Sequence, residues 1–118
     1  MNGSEVLVLG IAYKANVDDD RESPSYELMD RLKKRGVRVS YYDPHIPMIR
    51  PTREHGHWAG TQSIKWARET LKKFDVVVIS TQHDAVDYRE LADCADCIVD
   101  TRNAMEGIKS RPGQVWKA

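Results

Sequence analysis

Four absences bound what this chain can be. Charge of one sign is lacking: eighteen basic residues balance eighteen acidic ones, for a formal net charge of zero. Nucleic-acid and membrane partners favour a strongly basic surface or stripe, so neither class is expected. No apolar run approaches the length of a membrane span. Cysteine is scarce, with two residues in one Cys94-Ala95-Asp96-Cys97 spacing. Such a spacing can be redox-active or half of a zinc site. Thioredoxin-type pairs follow a strand and open a helix, whereas this pair precedes the apolar run Cys97-Ile98-Val99-Asp100. A zinc site would need two further ligands, for which His55 and His57 are the nearby-spaced candidates. Cys97 is therefore expected in the core, and no metal is expected. The fourth absence is catalytic. No G-x-S-x-G, H-E-x-x-H or P-loop occurs, so no nucleophile constellation is visible. Internal repeats, low-complexity tracts and linkers are missing as well.

What remains is a balanced chain of 118 residues, 41% apolar and 31% charged. That length suits one domain, which can bury roughly two-thirds of its unfolded surface. Met1-Asn2-Gly3-Ser4 leads straight into an apolar strand without a signal peptide. The expectation is a cytoplasmic protein. Residues 1–4 read as a leader or cloning scar ahead of a domain at 5–118, which would make the chain a piece of something larger.

The opening strand, Glu5 to Leu9, is apolar enough to be a buried parallel strand, and it ends at Gly10. Ser23 and Pro24 suit the N-cap and first position of a helix, with Ser25, Leu28, Met29 and Leu32 as its buried stripe and Gly36 as its stop. Val37, Val39 and Tyr41 alternate into a second strand that Asp43-Pro44 ends. This is a βαβ unit, so parallel strands and a right-handed crossover are expected. Residues 45–62 contain two prolines and two glycines and read as largely irregular, with a short strand or turn near His57 to Gly60. A second helix is expected over Ser63–Lys73, with Ile64, Ala67 and Leu71 on one face. Val76-Val77-Val78-Ile79 is the most β-prone run. A short helix near Tyr88–Ala92, a strand at Cys97–Asp100 and an edge strand at Gln114–Trp116 complete the reading. The fold class is α/β: a Rossmann-like three-layer fold with a mostly parallel sheet and helices on both faces. It lacks the dinucleotide fingerprint, because Gly10 is followed by Ile11-Ala12-Tyr13-Lys14, with no second or third glycine.

Open parallel sheets bind ligands beyond the carboxyl ends of their strands, where strand order reverses. That rule gathers Tyr13 and Lys14, then Thr81, Gln82 and His83, then Thr101, Arg102 and Asn103. Lysine, arginine and an aromatic ring at one edge suit an anionic, ring-bearing ligand such as a nucleotide. Each has a plainer reading beside it. Lys14 could be a solvated strand-end lysine, Arg102 could pair with Asp100 or Asp20, and His83 could cap or pack rather than act as a base. Asp18-Asp19-Asp20 points three ways and is better placed to fix its loop through Arg21 than to hold a cation.

Several segments also resemble a known family. Val8-Leu9-Gly10-Ile11-Ala12-Tyr13-Lys14, Val17-Asp18-Asp19, Arg21-Glu22-Ser23-Pro24-Ser25, Tyr42-Asp43-Pro44 and Val99-Asp100-Thr101-Arg102-Asn103 are similar, in order and spacing, to the C-terminal domain of the UDP-glucose/GDP-mannose dehydrogenase family. Asp43-Pro44-His45-Ile46-Pro47 and the tail Val115-Trp116-Lys117-Ala118 most resemble the branch acting on UDP-N-acetylglucosamine and UDP-N-acetylmannosamine. The resemblance implies a UDP-sugar-binding domain in which Tyr13, Lys14 and Arg102 contact the nucleotide. His83 is a secondary candidate, and Asp20, Arg21 and Ser23 shape the loop. It implies NAD bound by an absent N-terminal domain and a central region that makes the full-length enzyme an oligomer. The reaction would oxidise the sugar C6 alcohol to the uronic acid for surface polysaccharide synthesis. The family's catalytic cysteine lies ahead of such a segment, so Cys94 and Cys97 are not assigned that role, no catalytic residue is expected here, and the chain alone should be inactive. The alternative is a free-standing nucleotide-binding regulatory module without catalysis.

Overall fold

The computed structural model describes residues 5–11, 24–49, 58–83, 85–110 and 112–117. Five strands, β1 (Glu5–Leu9), β2 (Arg38–Tyr42), β3 (Val76–Ile79), β4 (Ile98–Asp100) and β5 (Val115–Lys117), pair in the order β2-β1-β3-β4-β5. Every pairing is parallel. Among the described residues three helices accompany them: α1 (Pro24–Lys34), α2 (Arg68–Leu71) and α3 (Tyr88–Cys94). The chain builds outward from β1 to β2, then crosses back to β3 on the other side of β1. The reversal of direction therefore falls between β1 and β3, the site of ligand crevices in such sheets.

Burial explains the layers. Residues 6–9 of β1 are at most 1% exposed, as a strand covered on both faces requires. Its side chains alternate between two cores. Val8 meets Tyr26 and Met29 of α1 with Tyr41, while Leu7 and Leu9 meet Leu71, Tyr88 and Leu91 on the α2 and α3 side. The expected α1 stripe is shifted. Ser25 and Met29 are fully buried as expected and Tyr26 joins them, while Leu28 and Leu32 pack only partly. The helix ends in a Schellman motif: Gly36 (φ 79°) donates to Lys33 at 3.1 Å and Val37 to Leu32 at 3.3 Å.

Other expectations need correction. The helix expected over 63–73 shrinks to Arg68–Leu71. Before it the chain is not helical and reaches α2 through an extended Ala67 (φ −149°, ψ 147°), and Ile64 and Trp66 both pack on the α2–α3 core. The Trp66 ring lies 4.8 Å from that of Tyr42, and its indole N–H reaches Glu90 at 2.7 Å. The helical period was present in the sequence, but this tryptophan's anchoring favours non-helical chain. The segment after β2 is likewise less irregular than expected. Met48 and Gln62 form an antiparallel bridge, and Ile49 and Thr61 bond at 2.9 Å. Ile46, Ile49 and Trp58 are buried against the α1 core, and Trp58 donates to Asp30 at 2.7 Å. Cys97, expected in the core, is half-buried, while Cys94 is buried.

No helix among the described residues is long and apolar enough to cross a membrane.

Candidate functional site

The carboxyl edge of the sheet is assembled by backbone geometry and two buried carboxylates. Gly10 adopts φ 84°, and its N–H donates to Tyr42 at 2.8 Å. A Cβ there would strike the Thr81 carbonyl oxygen and come within 2.8 Å of Thr81 Cβ. Only glycine lets the β1 and β3 turns touch at the point where strand order reverses.

A hydroxyl chain extends this contact. Ser25, at the start of α1, donates to the Gly10 carbonyl at 3.1 Å and lies 2.5 Å from the Ser80 hydroxyl. A hydroxyl carries one proton, so Ser80 is the donor between the two. The Ser80 carbonyl accepts from Arg102 Nε at 2.9 Å. Arg102 itself is exposed, so its guanidinium is tethered at one nitrogen on the rim. Asp100 does meet Arg102, but through the backbone N–H at 3.0 Å rather than the guanidinium. The same carboxylate accepts from Ala104 at 3.1 Å and Met105 at 2.9 Å, which folds the loop after β4 around it. Asn103 takes φ 61° in that turn, a conformation asparagine tolerates better than most residues.

Asp43, 2% exposed just past β2, is the second staple. Its Oδ2 accepts from the Ile11 N–H and from His83 Nε2, both at 2.9 Å, and its Oδ1 from the His45 N–H at 2.8 Å. Burial pushes the carboxyl upward, but the His83 hydrogen bond, the His45 and Ile11 N–H groups and the His83 charge together hold it below its ordinary value. Tyr42 moves the other way: burial and then the Asp43 charge raise its phenol.

His83 is fully buried, with its backbone N–H on the Tyr88 hydroxyl at 3.0 Å. The His45 ring packs edge-on against it at 4.7 Å. His83 therefore sits beneath the edge, whereas Arg102 stands on it. Tyr13, Lys14, Asp20, Arg21 and Ser23 lie outside the described residues, as do His55 and His57. No group of three metal-ligating side chains occurs among the described residues.

Sequence reasoning passed over Asp43 and Asp100 as structural centres. A signal existed in both: an acid at the end of an apolar strand, followed at once by turn-forming residues.

Three comparisons bear on this geometry. Residues 7–107 match the model of the "UDP-glucose/GDP-mannose dehydrogenase family, UDP binding domain". The UDP-glucose 6-dehydrogenase of Rickettsia felis is 32% identical over 92 residues, covering 77% of this chain and 19% of that protein. The UDP-N-acetyl-D-mannosamine dehydrogenase of Methanococcus vannielii is 51% identical over 41 residues, 35% of this chain and 10% of that one. Among solved structures, the UDP-glucose dehydrogenase of Pyrobaculum islandicum superposes with a TM-score of 0.66 at 28% identity, over 98% of this chain and 26% of that one. The UDP-N-acetyl-mannosamine dehydrogenase of Staphylococcus aureus shares the fold, with a TM-score of 0.69 at 23% identity, over 99% of this chain and 26% of that one. The chain thus spans about a quarter or less of the length of these relatives. A sheet ordered 2-1-3-4-5, an anchored arginine on its carboxyl edge and a match across most of the sequence lead to one assignment: the chain belongs to the UDP-glucose/GDP-mannose dehydrogenase family and corresponds to its UDP binding domain.

Proposed function

We propose that this domain holds the UDP of a UDP-N-acetylhexosamine for an NAD-dependent 6-dehydrogenase, which oxidises the sugar C6 alcohol to the uronic acid for surface polysaccharide synthesis in the cytoplasm. The observation that carries the reading is Arg102, exposed on the carboxyl edge beside the reversal point and tethered through Nε to Ser80. A guanidinium held at Nε keeps its terminal N–H groups in a fixed plane, suited to diphosphate oxygens. Tyr13 and Lys14 would close the site from the β1 loop, the lysine as a point charge and the tyrosine against the base. The local identity to a UDP-N-acetyl-D-mannosamine dehydrogenase favours an N-acetylated sugar.

NAD, the hydride acceptor, does not suit this edge. The one glycine of the β1 turn is already covered by Thr81, where a pyrophosphate would need open backbone. NAD and the catalytic cysteine belong to the rest of an oligomeric enzyme, and the domain contributes binding energy on the non-reacting part of the substrate. This chain alone is therefore inactive.

Calorimetric titration with UDP, GDP and NAD tests the reading. Saturable binding of UDP, weakened about tenfold or more by Arg102→Ala, is the expected result. Preferential binding of NAD, or unchanged UDP affinity in the variant, would overturn it.

A further inference from the structure

The nucleotide contacts read from sequence leave the buried pair beneath them unassigned. Asp43 and His83 come from the loops after β2 and β3, and the Asp43 carboxylate, bonded to His83, accepts from the N–H of Ile11, in the loop after β1. Ile11 is fully buried and stands two residues ahead of Tyr13 and three ahead of Lys14. Residues 10 and 11, at the carboxyl end of β1, are thus fixed by Tyr42 and by Asp43. The pair is also braced on its other sides. His45 binds the second carboxylate oxygen and packs its ring on His83, while Tyr88 of α3 holds the His83 backbone. A buried carboxylate shared among three loops cannot shift without leaving a donor unpaired, and that makes it a precise support.

We propose that Asp43 and His83 are positioning residues for nucleotide binding, acting through the Ile11 backbone at the carboxyl edge without touching the ligand. This rests on the UDP-binding reading above and adds to it a control of affinity from beneath the site. The two residues act as a unit: His83 orients the Asp43 carboxylate, and the carboxylate orients the Ile11 N–H. An amide in place of the carboxylate turns one oxygen into a donor and sets it against an existing donor. A leucine in place of the imidazole leaves the carboxylate one bond short. A glutamine at 83 carries an N–H near the position of Nε2 and restores that bond.

The test titrates UDP into the whole chain and its Asp43→Asn, His83→Leu and His83→Gln variants, at a temperature where circular dichroism shows each folded. His83→Leu and Asp43→Asn are expected to weaken UDP binding about tenfold, with His83→Gln within about threefold of the parent. The two disruptive substitutions are independent, so either one that folds supplies the comparison. A purely structural pair would lower the melting temperature and leave the affinity of the folded protein unchanged. That outcome, or a glutamine as damaging as leucine, overturns the proposal while the UDP reading stands. Failure of the folded parent chain to take up UDP removes that reading and this proposal with it.

Discussion

Asp43 stays ionised inside the fold because N–H donors from three loops face it. Their effect reaches stability through proton linkage. The folded carboxyl lies below its ordinary value, so the folded state resists taking up the proton that the unfolded chain accepts. The contribution is complete above the ordinary aspartate range and is lost as pH falls through the lowered folded value. Melting temperatures recorded from neutral pH down to about pH 2 should therefore drop in the acid limb, and Asp43→Asn should flatten that limb while melting lower at neutral pH. An Asn variant that follows the parent's acid slope would show that Asp43 is not the group titrating. This residue also marks a boundary of legibility. Asp43-Pro44 was readable as a strand stop, because proline restricts the residue before it. Its carboxylate's partners were not readable, since Ile11 and His83 lie 32 and 40 residues away in sequence. The place of Arg102 on the carboxyl edge was legible for the opposite reason: it lies just past a strand end, close by in sequence.

The strands were the readable elements because the inner strands of a parallel sheet read as apolar runs, and residues 6–9 of β1 and all of β3 are such runs. The segment before α2 shows where pattern fails. Ile64, Ala67 and Leu71 satisfy a helical period, but the chain before α2 is not helical, and Trp66 there finds Tyr42 and Glu90. Tertiary anchoring of a large side chain outweighs the small propensity differences that the pattern samples. β5 presents the same dependence in a form open to test. The strand begins beside Gln114, a polar residue only 3% exposed. The Gln114 amide donates at 2.6 Å to each of the Ala92 and Ala95 carbonyls at the end of α3. Helix ends leave carbonyls without intrahelical partners, and a buried one left unsatisfied costs about 1–3 kcal/mol. Gln114→Met should therefore lower urea-unfolding stability by about 2 kcal/mol through loss of these bonds, with little change in the denaturant slope. A variant within about 0.5 kcal/mol of the parent would mean that water replaces the glutamine at the helix end.

At the scale of the molecule, the strand order places the reversal between β1 and β3, and Gly10 and Thr81 close the sheet there backbone to backbone. That closure separates two uses of one fold class. A dinucleotide site keeps its first turn open so that a pyrophosphate can approach the helix end. Here the turn is covered, and an exposed cation at the edge, Arg102, comes from the loop after β4. A ligand gripped by such a rim should stabilise the whole domain, because binding to the folded state alone raises its unfolding free energy by mass action. At a hundred times its dissociation constant the gain is about 2.7 kcal/mol. For a domain of this size that corresponds to a rise of about 10 °C in melting temperature. UDP should produce such a rise as its concentration is increased, and Arg102→Ala should move the same curve to higher UDP concentration without changing its slope against the logarithm of concentration. NAD at equal concentration should leave the melting temperature in place, since the adenine and nicotinamide halves find no open turn. A rise with NAD that matches the rise with UDP would show that the covered turn opens in solution, and the separation drawn from Gly10 and Thr81 would fail.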